Sequence, residues 1–294
     1  MSNFCSGFVA IMGRPNVGKS SLMNAFVGEK VSIVSNRPQT TRNKIMGVAT
    51  QADWQIVFVD TPGLHRPRNK LGEYMVKSAN QAREGVDAVL AVVDATHVGE
   101  GDKAILEDLG KMRCPRFLAL NKVDLLPPEK LLPVMQIVGE YGFDHVVPTS
   151  ALTGEGLDKL LQLLRNAMPQ GPKYFPDDMV TDQPERVICA EIIREKALFC
   201  LREEIPHGVG VEMLAMTQHS PGFTEIHANL YCEKPSHKSI IIGKQGAMLG
   251  RIGRDARIDI ERLLDTKVML RLWVKVRENW RNRRDDLRTL GYEE

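Results

Sequence analysis

The stretch Gly13-Arg14-Pro15-Asn16-Val17-Gly18-Lys19-Ser20 restricts the fold of this chain more than any other. It fits the pattern GxxxxGK(S/T), and its flanks suit that pattern. The apolar run Phe8-Val9-Ala10-Ile11-Met12 reads as a buried strand, and Ser21-Leu22-Met23-Asn24-Ala25-Phe26 reads as a helix. Between a strand and a helix, glycines let successive backbone N–H groups close around an anion. The helix amino terminus adds roughly half a positive charge. Lys19 adds a full charge toward β and γ phosphate oxygens, and the Ser20 hydroxyl suits Mg²⁺. The stretch is a phosphate cradle for a nucleoside triphosphate.

Further strands follow, and their ends carry polar strings. Residues 28–42 are polar and without hydrophobic period, a loop that includes Thr40 and Thr41. Residues 44–49 and 55–59 read as strands, the second ending in Asp60-Thr61-Pro62-Gly63. A carboxylate there can anchor Mg²⁺ through water, and a glycine there can turn its N–H to a γ-phosphate. Residues 69–83 read as an amphipathic helix, 86–93 as a strand buried on both faces, 103–112 as a helix and 116–120 as a strand. Residues 146–149 read as the last strand, ending in Ser150-Ala151-Leu152, and 157–168 as the closing helix. This alternation predicts a doubly wound α/β sheet with its chemistry at the carboxyl ends of the strands. The string Asn121-Lys122-Val123-Asp124 chooses the base. Asp124 can accept two hydrogen bonds from guanine's ring N–H and exocyclic amine, which adenine does not offer. The Lys122 stem can cover the base, and the Ala151 N–H can meet the guanine oxygen. The nucleotide is GTP.

Residues 168–186 contain four prolines and little period, which reads as a linker over 171–184 between units 1–170 and 185–294. The remainder reads as helix 185–204, strand 209–218, strand 224–233, short helix 238–242, helix 247–264 and strand 267–277. Gly243-Lys244-Gln245-Gly246 lies between the last two helices. A GxxG string in an α-β-β-α-α-β order matches the bacterial-type (type II) KH fold, a smaller α+β unit whose loop clamps about four single-stranded nucleotides. Lys244 supplies charge, and Arg251, Arg254 and Arg257 follow on the next helix. The last strand alternates, with Val268, Leu270, Leu272, Val274 and Val276 on one face and Arg271, Trp273, Lys275 and Arg277 on the other. Trp280, Arg281, Arg283 and Arg284 extend that basic run. Charge agrees with this division. Residues 234–294 carry fifteen Lys/Arg against nine Asp/Glu, a net of +6, leaving 24 against 28 before them, a net of −4. Such asymmetry suits a polyanion at the carboxyl-terminal end. The five cysteines show no disulfide or zinc spacing, and neither a leader nor a membrane-spanning stretch is read, so a soluble cytoplasmic protein is expected.

Taken together, the ordered motifs resemble the Era family of bacterial GTPases, which join a Ras-like G domain to a carboxyl-terminal KH domain. The resemblance covers essentially the whole chain. It implies binding to the 3′ end of 16S ribosomal RNA, a role in maturing the 30S subunit, a monomeric state and loose contact with the inner membrane. Carried over, Gly13–Ser20 cradle GTP or GDP, Thr40 or, by preference, Thr41 closes on Mg²⁺ with Ser20 and Asp60, and Asp60–Leu64 sense the γ-phosphate. Asn121–Asp124 with Ser150–Leu152 read guanine, and Gly243–Gly246 with Arg251 and Arg254 hold RNA. Ras-type enzymes orient the attacking water with a glutamine after the DxxG glycine. Here that position is Leu64, as in Era relatives, and Asn16 resembles the asparagine through which some relatives hold K⁺. Catalysis is therefore expected from Asn16, Lys19, Thr41 and Gly63, with slow intrinsic turnover. GTP is expected to order residues 30–45 and 60–75. A membrane-linked signalling GTPase with a protein-binding second unit is the alternative.

Overall fold

Each apolar run of the first half becomes a strand, and the segments between most of them return over the sheet as helices. The computed structural model describes residues 4–35, 37, 40–64, 67, 69–201, 205 and 208–292. The chain divides into two compact units, with most of Met1–Asp182 in the first and Gln183–Glu294 as the body of the second.

In the first unit β1 (Cys5–Met12), β3 (Trp54–Asp60), β4 (Ala88–Asp94), β5 (Arg116–Asn121) and β6 (His145–Pro148) run parallel. β2 (Ile45–Thr50) pairs antiparallel with β3, and the order is β2-β3-β1-β4-β5-β6. The helices are α1 (Lys19–Val27), α2 (Lys70–Gln81), α3 (Glu100–Leu109), α4 (Pro128–Gly139) and α5 (Leu157–Ala167). Alternate residues of each central strand enter different cores. Val9, Ile11, Phe58 and Leu90 meet Leu22 and Phe26 of α1, whereas Ala10, Met12, Val89 and Leu118 meet Leu106 of α3 and Val138 of α4. Burial on both faces is why these strands read as unbroken apolar runs. The loops after β1, β3, β4, β5 and β6 all open at one edge of the sheet, where open α/β sheets hold ligands.

Two features depart from the sequence reading. α4 is not among the expected elements, because Pro128 and Pro133 disguise it. Pro128 occupies the first turn, where its missing N–H is no loss. The segment read as a linker is bound along the first unit. Ser6 N donates to Pro169 O and Val48 N to Val180 O, while Gly47 and Thr181 form an isolated antiparallel bridge. Gln55, fully buried in β3, accepts from the N–H groups of Tyr174 and Phe175 and donates to the Phe175 carbonyl.

The second unit is α6 (Glu185–Cys200), β7 (Gly210–Ser220), β8 (Phe223–Cys232), α7 (Pro235–Ile242), α8 (Ala247–Leu264), β9 (Lys267–Val276) and α9 (Arg284–Thr289). β8 pairs antiparallel with β7 and parallel with β9. α6, α7 and α8 pack on one face around Ile192, Ile226, Leu230, Ile241, Ile252 and Val274. The expected helix end at residues 202–204 lies outside the described residues. Trp280 does not join the basic surface that its sequence neighbours suggest. It is fully buried, and its indole N–H donates to Gly208 O at 2.9 Å. Among the described residues, no helix is long and apolar enough to cross a membrane.

Candidate functional site

The cradle stands between β1 and α1, and its glycines are there for space. Gly18 has φ +103°, and a Cβ on it would lie 2.1 Å from Asn121 Nδ2. Gly63 abuts the cradle so closely that a Cβ would lie 2.6 Å from Pro15 N. Leu64 N also donates to Gly13 O. The β3 loop and the cradle are therefore one surface.

Lys19 is buried beneath the cradle, with Nζ donating to Arg14 O at 2.9 Å and Gly13 O at 3.3 Å. Burial lowers its pKa to about 8, against the pull of Asp60. Three hydroxyls converge on Asp60 Oδ2: Ser20 Oγ at 2.6 Å, Ser32 Oγ at 3.1 Å and Thr41 Oγ1 at 3.4 Å. Ser20 Oγ and Thr41 Oγ1 are 2.9 Å apart. Burial raises the Asp60 carboxyl above its ordinary value, opposed by Lys19 and these hydroxyls. Its second oxygen, Oδ1, is buried with no hydrogen-bond partner among the described residues. A buried carboxylate with an orphaned oxygen beside two close hydroxyls is the oxygen-only donor set that suits Mg²⁺. The residues fit the ion.

At the base-reading end Asn121 is 2% exposed. Its Nδ2 donates to Val17 O at 2.8 Å, and its Oδ1 accepts from Ala151 N at 3.1 Å. Lys122, at φ +67°, reaches the Asn16 carbonyl at 2.7 Å and Asp94 Oδ2 at 2.6 Å. Asp124 and Leu152 are exposed. Ser150 is buried, and its Oγ accepts from Thr153 N. The cradle, the β5 loop and the β6 loop are thus tied together by two side chains.

Several candidate residues take other roles than the motif suggests. The Thr61 hydroxyl donates to Ile11 O within the sheet rather than entering the cradle. Val17 and Val123 pack into the cores, and Pro62 is buried. The Arg14 guanidinium pairs with Asp102 of α3 at 3.1 Å. Ala151 N–H, read as a donor to guanine, here donates to Asn121. Leu64, whose side chain has no hydrogen-bonding atom to position a water, packs against the apolar cluster on the α3 side of the sheet. Asn16 is exposed at φ +66°. Residues 36, 38, 39, 65, 66 and 68 of the expected switch segments lie outside the described residues. The motif reading missed Asp94, Ser32 and Asn24. Asp94 had a signal, since it ends an apolar strand as Asp60 and Asn121 do. Asn24 bonds Val31 N, Ser32 N and Ser32 O, which nothing in the local sequence announces.

In the second unit Gly243 (φ +72°), Lys244, Gln245 (φ +53°) and Gly246 (φ +83°) link α7 to α8. Beside them runs a groove of about 440 Å³ lined by Gly246, Leu249, Gly250, Gly253, Arg254 and Arg257, with Met269, Leu270 and Leu272 of β9 opposite. At roughly 100° per residue, Gly246, Gly250, Gly253 and Arg257 share one face of α8. Arg251 lies about 100° around from Gly250 by the same geometry, outside the groove lining, and its Nε is 3.8 Å from Asp255 Oδ2. Arg257, unlike Arg251, lines this groove. The two helix glycines were missed, though glycines three apart in a strong helix are a readable sign of a face kept clear.

Comparison with known proteins agrees with both halves. Residues 8–122 match the family described as 50S ribosome-binding GTPase, and residues 204–281 match the KH domain family. The chain is 52% identical over 291 residues to GTPase Era of Clostridium botulinum strain Eklund 17B, spanning 98% of this chain and 99% of that one. The chain belongs to the Era GTPase family. GTPase Era of Alkaliphilus metalliredigens strain QYMF is also 52% identical, over 294 residues that cover 99% of this chain and all of the relative. Among solved structures, Era in complex with MgGDPNP and nucleotides 1506–1542 of 16S ribosomal RNA is 38% identical. It covers 99% of this chain and 100% of that one with a TM-score of 0.94. A single-residue variant of Aquifex aeolicus Era bound to GDP·AlF₄⁻ matches with the same values. As an Era-family member this chain is a P-loop GTPase with a carboxyl-terminal KH domain, binding guanine nucleotide and hydrolysing GTP.

Proposed function

We propose that the chain is a GTP-driven switch that binds the 3′ region of 16S ribosomal RNA and assists maturation of the small subunit. One observation carries this reading: a guanine-nucleotide cradle and a GxxG groove occur in one chain whose fold matches, over its whole length, Era solved with both MgGDPNP and 16S RNA. Within it, Gly13–Ser20 hold the phosphates through backbone N–H groups and Lys19. Asp124 accepts from guanine, while Asn121 and Lys122 hold the loops around the base. Ser20, Thr41 and Asp60 would hold Mg²⁺, which when bound neutralises charge developing on the phosphates. Gly63 faces the γ-phosphate. Leu64 offers the attacking water no hydrogen bond, so intrinsic turnover is slow, and the exposed Asn16 is the residue at which K⁺ would supply a stabilising positive charge. The cytoplasmic setting, monomeric state and peripheral inner-membrane contact belong to the same reading and rest on family resemblance.

RNA binding is tested with the full chain and the 16S segment 1506–1542 by fluorescence anisotropy across a salt series. Binding should weaken with a log–log slope of about −0.7 for each phosphate contacted, and should be tighter with a non-hydrolysable GTP analogue than with GDP. Salt-insensitive binding would remove the RNA reading. Equal affinity in both nucleotide states would remove the switch.

A further inference from the structure

The groove and its loop do not account for all the basic residues of the second unit. Along β9, Lys267, Met269, Arg271, Trp273 and Lys275 stand on the sheet face opposite the helices, and all five are exposed. Trp273 is 43% exposed, whereas the chain's other two tryptophans, Trp54 and Trp280, are 7% and 0% exposed. His227 of β8 stands edge-on to the Trp273 ring with centroids 5.3 Å apart, bracing it on one side. An indole held in place and left open on a sheet face is a ready stacking surface.

The charges around it favour a polyanion. Two carboxylates, Glu212 of β7 and Glu225 of β8, stand near the stripe, and both are engaged. Glu225 meets His219 and His227 at 2.9 Å each, with Arg271 Nε at 3.4 Å. Glu212 accepts from Tyr231 OH at 2.6 Å and Asn229 at 3.0 Å. Lys267, Arg271 and Lys275 thus outnumber the acids, and the ammonium groups of Lys267 and Lys275 have no ion pair among the described residues. The face is also continuous with the groove. Met269 lines the groove and belongs to the stripe, and Trp273 lies four residues further, about 13 Å along the strand.

We propose that this open face of β9 is a second RNA subsite, where single strand leaving the groove over Met269 stacks a base on Trp273 and sets phosphates against Arg271 and Lys275. The inference rests on the RNA-binding reading above and extends it beyond the roughly four nucleotides that a GxxG loop clamps. The subsite takes any base, because stacking uses the π-face that all bases share.

The full chain is titrated with two oligomers cut from the 16S segment, one of about four nucleotides and one of about ten, following anisotropy and tryptophan emission. The longer RNA quenches the exposed indole and the shorter does not. Trp273→Ala lowers affinity for the longer RNA about 5- to 160-fold and leaves the shorter unchanged, while Trp273→Phe retains most of the affinity. Arg271→Gln with Lys275→Gln flattens the salt slope by about 1.4 for the longer RNA alone. If both oligomers bind and Trp273→Ala weakens neither, or weakens both equally, the subsite is overturned while the groove reading stands. If neither oligomer binds, both fall. A protein that binds the full chain and is lost in Trp273→Ala, with RNA affinity intact, also overturns the subsite. Unchanged circular dichroism and melting of Trp273→Phe secure the comparison.

Discussion

Asn121 has its amide engaged on two sides, by Val17 O of the cradle and by Ala151 N of the β6 loop. Removing that amide leaves a buried carbonyl and a partly buried N–H without partners, which costs about 1–3 kcal/mol per group. Asn121→Ala should therefore lower both the thermal midpoint and GTP affinity. Asp124→Asn should behave differently, because Asp124 is exposed and its carboxylate has no hydrogen bond or ion pair among the described residues. It should keep the midpoint and weaken GTP by about 1.5–3 kcal/mol for each guanine bond lost. Melting curves and nucleotide titrations of the two variants separate the roles, and equal losses of stability would contradict the assignment. Cysteine chemistry is set at this scale too. Burial in the second core pushes the Cys189 thiol up to about 12. Since the thiolate is the reactive form, iodoacetamide at about pH 8 should spare Cys189 in the folded protein and label it once denatured, as mass spectrometry would read.

At the scale of elements, β3 and the proline-rich segment after α5 depend on each other. β3 is buried along its whole length, including the polar Gln55. That is possible only because Gln55 forms three bonds with the backbone of Tyr174 and Phe175 and one with Thr50. Gln55→Ala should destabilise the first unit by about 1–3 kcal/mol and expose residues 170–182 to proteolysis. An undigested segment at native temperature would argue that the Val48–Val180 and Ser6–Pro169 bonds suffice alone. α8 shows the opposite economy of side chains. Gly250 and Gly253 each weaken a helix by about 1 kcal/mol relative to alanine, and what they leave is the floor of the groove. Asn16, Lys122 and Gln245 are non-glycine residues at positive φ, and all three lie in the motif loops, where local strain is a common companion of binding.

For the molecule as a whole, the separation of charge and the absence of a glutamine after Gly63 lead to one kinetic expectation. Leu64 has no hydrogen-bonding atom with which to orient the attacking water, so assistance to phosphoryl transfer is expected from elsewhere, and a K⁺ held at Asn16 would act as an arginine finger does. Hydrolysis by the full chain should be slow in Na⁺ buffer and rise at least about 10-fold in K⁺, by analogy with the 10³–10⁵ that an arginine can contribute. Asn16→Ala should abolish the difference between the ions while leaving nucleotide affinity within a few-fold. Fast turnover in Na⁺ would show that the missing group is already present in the chain.

Much of this protein can be read from its sequence because its defining strings are short and local. The cradle, Asp60-Thr61-Pro62-Gly63, Asn121-Lys122-Val123-Asp124 and Gly243-Lys244-Gln245-Gly246 each shape a single turn, and hydrophobic period places each turn at an element's end. Those strings determined the nucleotide, the α/β architecture and the α-β-β-α-α-β order of the second unit. Tertiary structure decided what depends on residues far apart in sequence. Asn121 meets Val17 across 104 positions, and Gln55 meets Phe175 across 120. Arg257 rather than Arg251 lines the groove, because rotation along α8 and not nearness to the GxxG loop selects the face. Trp273 and Trp280 occur in the same basic run, yet one is open and the other buried. The reason is physical: the segment carrying Trp280 turns back so that its indole N–H meets Gly208 O, a partner 72 residues away that no local pattern could name.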